Sequence, residues 1–367
     1  MATRGIRRAF IGVVAISLGT FGGTVQAANW TDRTVVSGFM SAVYSKTNEE
    51  IPFNGDAAEA GIDQDGSFQG TRYGVNIRSQ ISDQVNFASQ LFASQEEEHF
   101  TVHLDWAFAG IKLSDDVTLR AGKIKYPVGL VNEYVDVGVA YPWIRAPLVI
   151  YSEGAEGPNA TREAYTGFSL LLERLSGDWS YSADLFTGQV NLEGDISTVK
   201  NLAGLSLRAD WNEILQLHVA ANRGEMQAAE GVVPDPDMDG EQHRATLVGM
   251  KAEIDNVIVY AEGSKVTLGV AGGEDVTTDS AYLTVGYRLG NFLPHVTYQT
   301  WERKAEGETS GNDITTLGVR YDLNASTALK FEVSNIDTDG EGLFEPEPGE
   351  EVSSMTRLVS FAVDVVF

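Results

Sequence analysis

Over stretches of about ten residues the chain alternates hydrophobic and polar positions one by one, and it does so repeatedly from end to end. In residues 71–81, Tyr73, Val75, Ile77 and Ile81 share one parity, and Arg72, Asn76, Arg78 and Gln80 share the other. Residues 280–289 set Ala281, Leu283, Val285, Tyr287 and Leu289 against Ser280, Tyr282, Thr284 and Arg288. Residues 313–323 set Thr315, Leu317, Val319, Tyr321 and Leu323 against Thr316, Arg320 and Asp322. Successive side chains of a β-strand point to opposite faces, so this period predicts strands with one apolar and one polar face. Sixteen such strands are predicted, at 33–44, 71–81, 85–95, 100–113, 117–126, 163–175, 179–190, 201–211, 214–224, 243–254, 257–267, 280–289, 292–304, 313–323, 327–337 and 356–367.

The connections alternate too. Short ones such as Ser82-Asp83-Gln84, Asn212-Glu213 and Gly290-Asn291 consist of turn-forming residues. Long ones fall at 45–70, 127–162, 191–200, 225–242, 268–279, 305–312 and 338–355. In a bilayer every backbone polar group must be paired, so strands can span only as a closed barrel. Such a barrel meets lipid on one face and water on the other, with tight turns at one end and long loops at the other. The predicted fold is therefore all-β: a transmembrane antiparallel β-barrel of about 16 strands. Tyr44, Tyr73, Trp211, Tyr287 and Tyr321 lie near strand ends on the apolar parity, as interfacial girdles require.

The first residues follow a different pattern. Arg4, Arg7 and Arg8 precede the apolar run from Ala9 to Gly19, and small residues follow, ending in Val25-Gln26-Ala27. This is the layout of a secretory signal peptide, and the run is too short for a membrane-spanning helix. Residues 1–27 are expected to be removed, leaving 28–367 as a single barrel domain exported through the periplasm to the outer membrane. No later stretch is long and apolar enough for a spanning helix.

Composition narrows the chemistry. The 367 residues carry 26 Lys+Arg against 52 Asp+Glu, a net charge of −26, and no cysteine. Such acidity excludes a nucleic-acid partner, which needs a basic footprint. The missing cysteines exclude thiol catalysis, thiolate metal sites and disulfides. Without residues 1–27 the charge becomes −29, from 23 basic and 52 acidic residues. Connections 45–70, 225–242, 268–279 and 338–355 hold 6, 6, 3 and 6 of those acids. The acidity is thus concentrated in an outer crown, suited to divalent-cation bridges to lipopolysaccharide.

The last strand alternates Val359, Phe361, Val363, Val365 and Phe367 to the terminus. Phe361, Val363, Val365 and Phe367 resemble the C-terminal signature of bacterial outer-membrane barrels, which implies recognition by the barrel assembly machinery. Further upstream, the fifth strand and its exit read Leu119-Arg120-Ala121-Gly122-Lys123-Ile124-Lys125-Tyr126-Pro127-Val128-Gly129-Leu130. This resembles the stretch before loop 3 of the sixteen-stranded general porins of Gram-negative bacteria. Residues 136–147 depart from the short acidic motif of the enteric members. The resemblance implies a homotrimer with three pores, passive diffusion of ions and small hydrophilic solutes, and a third external loop folded into the lumen. Here that loop, 127–162, is the longest, and it carries Leu130, Val131, Tyr134, Val135, Tyr141, Trp143 and Ile150, which would be a liability in water.

A constriction that orients hydrated solutes sets opposite charges across a narrow slot. Inward-parity cations include Arg72, Arg78, Arg120, Arg208, Arg288 and Arg320, and the loop supplies Glu133, Asp136, Arg145 and Glu153. The expected constriction is a basic wall of Arg72, Arg78, Arg120, Lys123 and Lys125 facing the loop. Lys123 and Lys125 have the opposite parity to Arg120, so a bulge or strand end is needed to turn them inward.

Other functions have weaker support. His99, His103, His218, His243 and His295 form no known catalytic motif, and neither G-x-S-x-G nor HExxH is present. Asp235, Asp237 and Asp239 begin like a calcium loop, but the twelfth position is Thr246, which leaves only a weak external metal site. No cofactor is expected. A channel specific for phosphate-like anions or sugars is the nearest alternative, followed by a barrel enzyme or an adhesin. Inward-parity aromatics such as Tyr260 and Tyr282 are too scattered to argue for a sugar slide.

Overall fold

The computed structural model describes residues 33–53, 61–96, 99–151, 164–191, 197–228, 238–339, 344 and 353–367. The expected signal peptide, Glu153, Asp235 and Asp237 lie outside the described residues.

Sixteen antiparallel strands close into one barrel, each paired to its neighbours in sequence and the first to the last. They are β1 (Thr34–Lys46), β2 (Arg72–Gln80), β3 (Val85–Glu96), β4 (His99–Lys112), β5 (Val117–Lys125), β6 (Ala164–Ser176), β7 (Trp179–Asn191) and β8 (Ser197–Trp211). The second half comprises β9 (Leu215–Ala228), β10 (Gln242–Ile254), β11 (Val257–Leu268), β12 (Val276–Tyr287), β13 (Phe292–Ala305), β14 (Glu308–Asn324), β15 (Thr327–Asp339) and β16 (Met355–Val366). Closure runs through eight register pairs, from Phe39↔Val366 to Lys46↔Val359. Every strand thus has a neighbour on each side, as a sheet that spans a bilayer requires.

Period two sets the two faces. On β12, Leu283, Val285 and Tyr287 are exposed on the outside, whereas Ser280, Tyr282 and Thr284 are buried on the inside. The outward aromatics pair at both rims. Tyr44 packs on Phe68 at 5.2 Å and Tyr73 on Phe100 at 5.5 Å on the long-loop side. Trp211 lies 6.4 Å from Trp179, and Tyr321 4.6 Å from Phe292, on the short-turn side.

Several strands run further toward the long loops than the alternation predicts. β8 begins at Ser197, β12 at Val276 and β14 at Glu308. Their added residues, such as Asp279 and Thr309, are polar on the outward face, so the apolar alternation stops while the ladder continues.

Candidate channel constriction

The third loop does fold into the barrel. From Tyr126 to Tyr151 it carries two 3-10 turns, Asn132–Tyr134 and Gly138–Ala140, and a single helical turn, α1 (Leu148–Tyr151). Tyr126, Val128, Leu130, Val131, Tyr141, Trp143 and Ile150 are buried in one apolar cluster with inward residues of strands from β7 to β13. Its apolar composition is thereby taken out of water.

Where the loop begins, the wall opens. β4 pairs with β5 only from Lys112↔Thr118 to Ala107↔Lys123, and beyond that point β5 pairs with β6 alone, to Lys125↔Ala164. β4 also carries an extra residue, Asp105, because Gln90 faces Trp106 while Leu91 faces Leu104. Such a bulge re-aims a side chain that strict alternation would place elsewhere. Together the gap and the bulge gather Asp105, Lys125 and Asp136. Lys125 Nζ lies 3.2 Å from Asp105 Oδ2 and 3.0 Å from Asp136 Oδ2. Gln90 Nε2 donates to both carboxylates, at 2.6 and 2.9 Å. Arg72 donates through Nε to the Asp136 carbonyl at 2.9 Å and through Nη2 to Tyr141 Oη at 2.8 Å. Burial pushes the Asp136 carboxyl up, but Lys125, Arg72 and Gln90 outweigh it and hold it below the usual carboxylate range.

The opposite wall holds the loop by a second set of groups. Trp143 donates its indole N–H to Thr284 and Thr297 at 2.9 and 3.0 Å, and its ring packs on Tyr260 at 4.8 Å and Tyr282 at 5.8 Å. Glu262 accepts from the Leu130 N–H at 2.7 Å, from Tyr282 at 2.7 Å and from Tyr151. Glu332 accepts from the Ile144 N–H at 2.9 Å. Lys330, ion-paired to Asp364 at 2.8 Å, donates to the carbonyls of Gly138 (2.6 Å) and Trp143. Arg320 Nη1 donates to the carbonyls of Val139 and Tyr141, both at 2.7 Å. Gly138 is required at this contact, since a Cβ there would sit 2.2 Å from Asp364 Oδ1.

The sequence-derived site residues therefore separate into groups. Arg72, Lys125 and Asp136 come together as one network. Glu133 pairs with Arg208 at 3.1 Å, on the β8 side. Arg145 reaches the other way, donating to Ser360 at 3.2 Å, Ser45 at 3.0 Å and the Gln69 carbonyl at 3.3 Å. Burial pushes its guanidinium down to about 10. Arg120 pairs with Asp184 and donates to Ser169 at 2.8 Å, within the β5–β7 wall. Arg78 is exposed on the inward parity near the short-turn end, six residues along β2 from Arg72, which is about 20 Å of strand. Lys123 keeps the outward parity and donates to the Leu104 carbonyl at 2.7 Å. Asp239 is exposed, and its carboxylate accepts from the Ala228 N–H across its own hairpin at 2.8 Å.

Four anchors were not singled out from the sequence: Glu262, Lys330, Glu332 and Asp364. Their signal was an ionisable residue on the inward parity of a strand otherwise rich in small hydroxyl and apolar groups. Tyr260 and Tyr282, scattered in sequence, lie on adjacent strands and meet at Trp143.

No protein-family model matches the chain, and no curated protein matches it by sequence. Solved structures do match its fold. An anion-selective porin from Comamonas acidovorans is 12% identical at a TM-score of 0.61, covering 91% of this chain and 99% of that one. OmpF of Salmonella typhi, solved with daunomycin, is 14% identical at a TM-score of 0.61, covering 91% and 97%. A trimer form of OmpT, an outer membrane protein of Vibrio cholerae, is 13% identical at a TM-score of 0.57, covering 92% and 100%. The chain has the porin fold: a closed sixteen-stranded antiparallel barrel with its third loop inside.

Proposed function

We propose that this porin-fold barrel conducts ions and small hydrophilic solutes passively across the outer membrane, with the inward-folded loop setting the narrowest point. The observation that carries the reading is the loop itself. It is anchored to β1–β3, β5, β8 and β11–β16 by the residues named above, a fixed partition in a barrel wide enough for an aqueous channel. The Arg72–Lys125–Asp136 network forms one side of the constriction, with Arg120, Glu133 and Arg145 at its flanks. Arg78 contributes charge at the mouth on the short-turn side. No reaction and no cofactor enter this reading. The trimer form among the similar structures supports self-association as a homotrimer. The terminal Phe361, Val363, Val365 and Phe367 serve assembly, and the acidic outer loops meet lipopolysaccharide.

A second reading is a channel with a narrow substrate range. It is favoured by the burial of the inward faces of β12–β16, including Ser280, Thr284, Thr297, Thr316, Ser334 and Ser360. Planar-bilayer recording of the purified protein under a salt gradient tests both. Stable conductance without solute block supports the general channel. Block by micromolar phosphate or by one sugar supports the narrow one. Absence of conductance removes both.

A further inference from the structure

On the outer wall, near the short turns of β5–β9, register places two rows of side chains side by side. One row reads Val117, Leu172, Ala183, Leu207, Val219, from the pairs Val117↔Leu172, Leu172↔Ala183, Ala183↔Leu207 and Leu207↔Val219. The row nearer the turns reads Arg174, Tyr181, Ala209, Leu217. In each row an alanine stands between large side chains: Ala183 between Leu172 and Leu207, Ala209 between Tyr181 and Leu217. The two short side chains leave an apolar depression of about 650 Å³. Its large walls, Leu172, Tyr181, Leu207, Leu217 and Val219, are exposed on the outer face.

The position fixes the depth. Trp179 and Trp211 stack in the next row toward the turns, and Tyr181 lies 5.9 Å from Trp179. Outward tryptophans and tyrosines mark the headgroup level of a membrane barrel, so the depression lies just inside it, at acyl-chain depth. Arg174 stands at the edge of the depression, at the level of Tyr181. Its ion pair to Asp116, at 3.1 Å, joins two largely exposed groups through Nη1 and leaves the rest of the guanidinium fork turned to the surface, where it can bind an anion.

We propose that this face is a binding site for one glycerophospholipid of the leaflet on the short-turn side, its acyl chain in the Ala183–Ala209 depression and its phosphate on Arg174. The apolar walls accept hydrocarbon, and the planar guanidinium fork matches phosphate oxygens. The site requires only that the barrel spans a bilayer; it does not depend on conduction, so loss of one leaves the other standing.

The test is mass spectrometry of the intact folded protein in mild detergent with palmitoyl-oleoyl phosphatidylglycerol added. Wild type is expected to retain one lipid per chain. A183L/A209L, which fills the floor, lowers retention by about tenfold, as expected for losing most of a pocket. Arg174→Gln, a change at an exposed position that leaves the barrel intact, also lowers it by about tenfold through loss of the charge-assisted bonds. Ala281→Leu on the outer face of β12 leaves retention unchanged. Equal retention in all four proteins overturns the proposal. So does a filled variant that changes the number of chains per complex and not the lipid count, since that would make the face a contact between copies.

Discussion

Lys125 Nζ stands 3.0 Å from Asp136 Oδ2, so the last residue of β5 is ion-paired to the loop into which β5 leads. A second carboxylate, Asp105 at 3.2 Å, completes a buried triad in which Lys125 touches both acids. Burial makes such a cluster costly to break from one side.

Replacing Lys125 by Met leaves two buried acids facing each other without the cation that touches both. The expected loss is about 3–5 kcal/mol, read as a lower temperature for heat-induced loss of the folded form on electrophoresis. K125M/D105N/D136N, which neutralises all three groups, recovers most of that loss. If the triple variant is no more stable than K125M, the ion pairing is not the source of the anchoring.

The network also sets a pH dependence. Asp136 ionises more readily in the folded protein than its ordinary value of 3.8, so its contribution is fully present above that value. It is lost as pH falls below 3.8 through the folded-state value. Protease resistance of the loop is therefore expected to hold from neutral pH down to about 4 and to fail below it. Asp136→Asn removes this acid-dependent step; a variant that keeps the wild-type profile would assign the step to another group.

Trp143 is the main apolar anchor on the far wall. Trp143→Ala is expected to cost about 3–5 kcal/mol through cavity formation, to raise single-channel conductance and to make the loop open to protease. Trp143→Phe keeps the ring contacts with Tyr260 and Tyr282 and loses the indole donor. Thr284 and Thr297 stay bonded to each other at 2.8 Å, so this variant costs about 1 kcal/mol.

Arg78 and Arg120 differ in kind. Arg78→Ala removes an exposed inward charge, and we expect the reversal potential under a salt gradient to move toward cations with thermal stability unchanged. Arg120→Ala moves it the same way but leaves Asp184 buried and unpaired, so stability falls by about 3–5 kcal/mol. R120A/D184A restores stability and returns the reversal potential toward wild type.

The terminal Phe367 lies against Gly38 of β1, where an added Cβ would meet the ring at 2.5 Å. Removing the ring by Phe367→Ala, or displacing it by Gly38→Val, is expected to lower the fraction of protein that reaches the folded outer-membrane form. Normal assembly of both variants would deny the last residue a role in closure.

Most of the barrel was legible in the sequence because the bilayer leaves so few options. Tyr73, Val75 and Leu283, Val285 must face lipid, and the partners between them must face inward, so parity alone orients them. Boundaries were least legible where β8, β12 and β14 extend beyond the bilayer, since polar residues there satisfy the ladder without alternating. The candidate constriction was legible only in part. Arg72 and Asp136 were visible as opposite charges. Lys125 was on the wrong parity, and only the Asp105 bulge and the parting of β4 from β5 explain its inward reach.

The sequence by itself determined the number of strands, which face of each is apolar, which connections are long, and that the third loop is too apolar to lie in water. These are local properties, set by a period of two and by the cost of exposing apolar or unpaired backbone groups. Only the tertiary structure decided which charges meet. Lys330 and Asp364, or Glu262 and the Leu130 N–H, are brought together by barrel register and by the path of the loop across the lumen. No spacing along the chain encodes those distances. It is closure of the ladder that brings Arg72, Arg208, Arg320 and Lys330 to the loop as anchors.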